Sequence, residues 1–179
     1  MIRLIAIYGI IGGLIVAVPM VWLMVGFSPS TFEKGGYLYG YLSMLIALTT
    51  VFLGVRHYRD KVLGGAIKFW PALFIGLGIS AVASILYAIG WEISIAWSGF
   101  DFGATYSKAM VDAARAKGAS ETELQTVIAE AQSFATSYKN PLYRFPMTFI
   151  EMFPVGVLIS LISATILRNS KVLPARVHN

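Results

Sequence analysis

Two glutamates sit where the apolar segments of this sequence meet its polar connections, and they are its strongest candidates for chemistry. Glu92 stands near the end of the third apolar run, and Glu151 stands near the start of the fourth. An ionisable side chain within a membrane-spanning helix is costly, so it is a functional candidate by default. If the two runs form antiparallel helices, the carboxylates lie at similar depth and could share a proton or bind a cation.

Arg144 and Pro154 flank Glu151 and would shape this site. Arg144 is placed to reach Glu151, and the first turns of a helix favour a negative charge. Pro154 has no amide hydrogen to bond to the carbonyl of Ile150, which leaves that oxygen free as a ligand beside the carboxylate. The alternative is that both glutamates extend to the lipid headgroups and that Pro154 only shapes its helix.

Other kinds of chemistry find no support in the residues present. The chain has no cysteine, which excludes thiol catalysis, disulfides and thiolate metal sites. His57 lies among basic residues and His178 lies in the tail, so neither has the convergent ligands that a metal needs. Nucleophile elbows, phosphate loops and dinucleotide-binding glycine patterns are also missing from the sequence. The sequence therefore predicts no catalytic residue, no metal site and no cofactor.

Four apolar runs must position these residues. A helix needs about 20 apolar residues to cross roughly 30 Å of hydrocarbon, and suitable runs cover about 4–25, 37–55, 69–95 and 145–167. A hydrophobic content of 57%, a charged content of 13% and a mean hydropathy of +0.71 are typical of a membrane protein. We predict an all-α integral membrane protein with a single four-helix domain over residues 1–179.

Basic residues are distributed unequally between the two sides of these spans. One side has most of them: Arg3, Arg56, Arg59, Lys61, Lys68, Arg168, Lys171 and Arg176. The first loop has only Lys34. Because short cytoplasmic loops are enriched in Lys and Arg, both termini are predicted to be cytoplasmic. We predict contact with anionic headgroups on that side, and no nucleic-acid partner, for Arg56, Arg59, Lys61, Lys68, Arg168 and Lys171.

The third loop, about 96–144, is predicted to form an extracytoplasmic helical hairpin. Ser120 and Glu123 form a capping-box pattern that begins its second helix, which ends at Asn140-Pro141. A shorter helix over about 105–117 precedes it. Apolar residues of the second helix recur on one face: Leu124, Val127, Ile128, Ala131, Phe134, Ala135 and Tyr138. This stripe either packs on the ends of the spans and the headgroup layer, or forms a docking face for a partner.

Small residues recur at every fourth position in the spans. The candidates for close helix packing are Gly9, Gly13, Gly76, Ser80, Ser84, Gly156 and Ser160, with Gly36 and Gly40 as a further pair in the second span. Such strips let two helix backbones approach closely in lipid. They serve either packing within one bundle, or association with a second copy or another membrane subunit.

Parts of the sequence resemble a known family. The residues that carry the resemblance are Gly64-Gly65-Ala66-Ile67-Lys68-Phe69, the pair Asn140-Pro141, and the run 154–162, Pro-Val-Gly-Val-Leu-Ile-Ser-Leu-Ile. They resemble domain-of-unknown-function family 4199, chiefly over residues 64–171. The resemblance implies a bacterial four-span protein of the inner membrane with a helical insert between its last two spans. It implies no activity and no catalytic residue.

Two functions remain open at this point. The first is a non-enzymatic accessory or assembly subunit of a larger membrane complex, with a membrane-protein partner or a second copy of the chain. The second is a small oligomeric transporter or channel, coupled to protons or cations through Glu92 and Glu151. An intramembrane enzyme acting on lipid is the weakest reading, because no helper residues accompany the carboxylates.

Overall fold

A computed structural model of the chain describes residues 1–26 and 36–174, and it is built of helices. They are α1 (Ile2–Gly26), α2 (Gly36–His57) with a π-helical turn (Tyr58–Val62), α3 (Phe69–Ser98), α4 (Phe102–Ala116), α5 (Glu121–Tyr138) and α6 (Pro141–Leu167). Four helices, α1, α2, α3 and α6, are long and apolar enough to cross a membrane. The predicted all-α, four-span fold is confirmed. Lys34, Arg176 and His178 lie outside the described residues.

The four long helices form one bundle around an apolar core. α3 packs along α1 and α6, and α2 packs against the other three. The core contains Leu48, Val51, Ile75, Ile79 and Met152, all with no exposed surface. We call the end of the bundle that carries α4 and α5 the hairpin end, and the opposite end, where α1 begins and α6 ends, the terminal end.

Small residues set an antiparallel register between α3 and α6. A Cβ atom added at Gly76 would lie 2.8 Å from Ser160 Cβ, and one added at Gly156 would lie 2.6 Å from Ser80 Cβ. The hydroxyl oxygens of Ser80 and Ser160 are 3.2 Å apart. Each glycine thus makes room for the serine of the other helix, and four residues forward on α3 correspond to four residues back on α6. Ser84, the next residue of the strip, is also fully buried.

A second strip of small residues sets a parallel register between α1 and α3. Gly9 packs against Val82, Gly13 packs against Leu86, and Ala17 packs against Gly90. Gly40 of α2 is different, because a Cβ atom added there would meet nothing within 4 Å. The strips of α1, α3 and α6 are therefore used inside this chain, and their buried faces are not available to a partner.

The hairpin begins and ends at side-chain caps. Asp101 caps α4 by accepting a hydrogen bond from the amide of Ala104, an earlier start than the predicted 105. The predicted capping box of Ser120 and Glu123 is present at the start of α5. Asn140 was expected to end α5, whereas α5 ends at Tyr138 and Asn140 caps α6, whose first residue is Pro141. Proline suits that position because the first amides of a helix have no partner within it.

The apolar stripe of α5 is covered largely by α4, a possibility outside both predicted alternatives. The rings of Tyr106 and Phe134 are 5.1 Å apart, and the hydroxyl of Ser107 donates to the carbonyl of Ala131 over 2.7 Å. Tyr138, the last residue of the stripe, contacts α3 through Trp91. The apolar faces of α4 and α5 thus pack against each other, and the hairpin contacts the bundle where α5 ends, at Tyr138.

Candidate functional site

An ion pair between Glu92 of α3 and Arg144 of α6 lies at the hairpin end. Arg144 Nε donates to Glu92 Oε1 over 2.8 Å, and Arg144 Nη2 donates to Glu92 Oε2. Arg144 Nη1 also donates to the carbonyl of Tyr138 over 3.1 Å. Arg144 was expected to reach Glu151, which is wrong. Glu151 lies two turns, about 10 Å, along the same helix, whereas the register between α3 and α6 places Glu92 directly across from Arg144.

Tyr138 joins this ion pair to the hairpin. Its hydroxyl accepts a hydrogen bond of 2.8 Å from the Trp91 indole, its ring lies under the Arg144 guanidinium at 5.7 Å, and Phe102 and Phe134 each pack 5.2 Å from it. Burial raises the pKa of Tyr138 to about 12, against the lowering effects of the Trp91 hydrogen bond and the Arg144 charge. These contacts hold the last residue of α5 against α3 and α6.

Because the Tyr138 hydroxyl is buried, we expect the hairpin to undock from the bundle more readily at high pH. An exposed tyrosine ionises near pH 10, and Tyr138 in the folded protein ionises near pH 12. Its contribution to stability is therefore complete below pH 10 and falls as the pH rises from 10 to 12, because the undocked state loses the proton first. We expect amide exchange in α5, corrected for the intrinsic pH dependence, to rise over that interval. A Tyr138→Phe variant, which has no hydroxyl to ionise, should not show the rise.

Glu151 has a different partner and a different setting from Glu92. Its Oε2 accepts a hydrogen bond of 3.1 Å from the hydroxyl of Tyr87, a residue of α3 that is buried. The Glu151 side chain is nevertheless exposed on the surface of the bundle, as is Pro154 one turn further along α6. The expected Glu92–Glu151 pair is therefore replaced by two separate pairs, and both oxygens of Glu92 are bound by Arg144.

A cavity of about 240 Å³ opens beside the ion pair. The turn from Gly99 to Gly103 lines it, together with Tyr138, Lys139 and Arg144. Its buried charge already has partners, because Arg144 is bound to Glu92 and to a backbone carbonyl. Within residues 1–26 and 36–174, acidic and histidine side chains form no cluster of three that could hold a metal ion.

Arg59 at the terminal end corrects one predicted lipid contact. It is completely buried, and its Nε donates to Asp60 over 2.6 Å. Its Nη1 donates to the carbonyl of Val172, and its Nη2 donates to the carbonyl of Leu173. The segment after α6 folds back over the π-helical turn and covers the guanidinium, so Arg59 holds the tail and does not face headgroups.

The other basic residues of the terminal end remain accessible. Arg56 is partly exposed and forms an ion pair of 3.4 Å with Asp60. The exposed ones are Arg3, Lys61, Lys68, Arg168 and Lys171. His57 is exposed, and its Nδ1 lies 3.0 Å from the hydroxyl of Tyr8.

Tyr87 and Tyr138 are site residues that the sequence reasoning missed. A tyrosine deep in an apolar run needs a partner for its hydroxyl when it is buried, and Tyr87 lies in the middle of the third run. That rule could have indicated Tyr87 as a partner for a carboxylate of the fourth run. Tyr138 had been assigned only to the apolar stripe, although its hydroxyl has the same requirement.

Comparison with known proteins gives one match. A family model described as "Protein of unknown function (DUF4199)" matches residues 7–169, a range that includes Glu92, Arg144, Tyr87 and Glu151. No curated protein and no solved structure matches the chain.

Proposed function

We propose that this chain, which belongs to the DUF4199 family of proteins of unknown function, is a non-enzymatic accessory or assembly subunit of a larger membrane complex. The proposal is carried by Glu151, a carboxylate that is exposed on the surface of a membrane-spanning helix. Its function on this proposal is to receive a polar or cationic group from a spanning helix of the partner.

The depth of Glu151 follows from the register between α3 and α6. With Gly76 opposite Ser160 and Glu92 opposite Arg144, Glu151 is level with Ile85 of α3. Trp70 and Trp97, 63% and 72% exposed, are separated by about 40 Å along α3, which matches a hydrocarbon core with an interfacial layer on each side. Ile85 is about 2 Å from the middle of that span. Glu151 therefore lies in the hydrocarbon rather than among the headgroups.

The surroundings of Glu151 supply little to stabilise a charge. Its neighbours on the same face of α6 are apolar and exposed, with Ile150 63% exposed and Leu158 56% exposed. Ionisable groups in spans normally face the bundle interior or pair with one another, because an unpaired charge in hydrocarbon is costly. A partner helix that covers this face and brings a donor to Glu151 would remove that cost.

The proposal is tested by purification from native membranes at natural expression, followed by native mass spectrometry. We expect the wild-type chain to carry another subunit in a fixed ratio, and Glu151→Leu to lose it. Glu130→Leu is the matched control, because Glu130 is an exposed glutamate of α5 outside the spans; it should retain the subunit. A wild-type chain that emerges alone, or a subunit that both variants retain equally, would contradict the proposal.

A small oligomeric transporter or channel is the second candidate, and the pair of Glu151 with Tyr87 favours it. A titratable carboxylate that accepts a hydrogen bond from a buried hydroxyl within the hydrocarbon has the chemistry of a proton-carrying group. Glu92 supports it less, since Arg144 binds both its oxygens. Four helices around a filled apolar core would also need to oligomerise to provide a path.

Flux into liposomes separates the two candidates. A proton- or cation-coupled transporter should show flux that is lost in the Glu92→Gln, Glu151→Gln double variant, and Glu151→Gln alone should account for the loss. Absence of flux in the wild-type protein, or flux that the double change leaves intact, removes these carboxylates from a transport mechanism.

We further propose that both termini are cytoplasmic, that the hairpin is extracytoplasmic and that the membrane is the bacterial inner membrane. The exposed basic residues Lys61, Lys68, Arg168 and Lys171 support this orientation, because they gather at the terminal end. They would bind anionic headgroups there. The native chain has no cysteine, so a membrane-impermeant maleimide applied to intact cells should label Glu121→Cys and spare Lys61→Cys. The reverse labelling would overturn the orientation.

A further inference from the structure

An apolar groove runs along the surface of the bundle between the parallel helices α1 and α3. It encloses about 650 Å³ and is lined by aliphatic residues, one glycine and two tryptophans. Ala17 and Gly90 form its floor, where the helices approach so closely that a Cβ atom added at Gly90 would lie 2.7 Å from Ala17 Cβ. Trp22 and Trp97, 70% and 72% exposed, flank it at the hairpin end.

The length of the groove matches one leaflet of a bilayer. Its lining extends from Leu14 to Val25 on α1 and from Leu86 to Trp97 on α3. Each stretch spans about 16 Å at 1.5 Å per residue, and half of a hydrocarbon core is about 15 Å. The two tryptophans lie at the end where the headgroups begin, which is the level that indole rings prefer.

The lining of the groove disfavours water as its occupant. A stably held water needs polar partners, and the lining side chains offer only the two indole N–H groups.

We propose that this groove binds one acyl chain of a membrane lipid from the leaflet at the hairpin end. The chain lies between α1 and α3 over Ala17 and Gly90, and the glycerol region of the lipid lies between Trp22 and Trp97. The site is on a different face from Glu151 and does not depend on the accessory role. It would hold its lipid more tightly than the open surfaces of α2 and α6, because walls on two sides and a floor contact the chain.

Two variants of α3 provide a matched test. Ile93 lines the groove and is 37% exposed, whereas Ile85 lies outside it and is 43% exposed. Each is replaced by tryptophan, and the proteins are reconstituted with 1-palmitoyl-2-oleoyl-phosphatidylcholine, extracted in mild detergent and weighed by native mass spectrometry. We expect the wild-type protein and Ile85→Trp to retain one more lipid per chain than Ile93→Trp.

Equal lipid retention by the two variants would overturn the proposal. So would a loss of a second protein chain, rather than of a lipid, from Ile93→Trp. If Ile93→Trp does not fold, the Trp70→Phe protein replaces it, titrated in detergent with phosphatidylcholine brominated on its acyl chains. Quenching of the remaining tryptophan fluorescence should saturate at one lipid per chain, and quenching without saturation would contradict the site.

Discussion

Replacement of Arg144 by methionine is expected to lower the free energy of unfolding by about 3 kcal/mol. The Arg144 side chain is 11% exposed and the side chain of its partner Glu92 is 23% exposed, so removal of the cation leaves a carboxylate largely shielded from water without a counter-charge. The Tyr138 carbonyl loses its donor at the same time. The loss is measured by unfolding from mild detergent into sodium dodecyl sulfate, and amide exchange should show α5 undocked first.

Arg115→Met is the matched control for this prediction. Arg115 and Asp112 form an ion pair of 3.9 Å in which both side chains are more than half exposed, and such surface pairs contribute less than about 1 kcal/mol. The Glu92→Met, Arg144→Met double variant should recover part of the stability lost in Arg144→Met, because no charge then lies unpaired. If Arg144→Met and Arg115→Met are equally mild, the ion pair does not hold the hairpin end together.

The four spans could be predicted from the sequence because hydropathy is averaged over long segments. The predicted run 69–95 became α3, Phe69–Ser98, and the predicted run 145–167 became α6, Pro141–Leu167. The differences lie at helix ends, where single residues determine the first and last residue of each helix. Asn140-Pro141 is compatible both with the end of one helix and with the start of the next. The structure uses Asn140 as the cap of α6.

The candidate site could be predicted only as a set of residues, not as pairs. Glu92, Arg144 and Glu151 stand out as charges beside apolar runs, but their partners depend on the register between α3 and α6. That register is set by contacts such as Gly76 with Ser160, which a single sequence does not reveal. The burial of Arg59 likewise depends on the segment around Val172, more than a hundred residues away along the chain.

The two uses of small residues, within the bundle and between proteins, differ in what a bulky substitution does. At Gly76 a Cβ atom would lie 2.8 Å from Ser160 Cβ and 3.2 Å from Ser160 Cα, so the neighbour cannot yield by rotating a side chain. Gly76→Leu must push α3 away from α6. We expect the free energy of unfolding to fall by about 3 kcal/mol, at the upper end of the usual effect of overpacking.

Gly40→Leu makes the same chemical change in α2 at a position with nothing within 4 Å. There it should leave the free energy of unfolding within about 1 kcal/mol of wild type or raise it, since leucine favours a helix more than glycine does. Because Gly76 is buried against Ser160, Gly76→Leu should destabilise the chain itself, whereas Glu151→Leu should release a partner from a folded chain. Equal stability of the two glycine variants would mean that α3 and α6 do not pack through this strip. The depth assigned to Glu151 from that register would then be wrong.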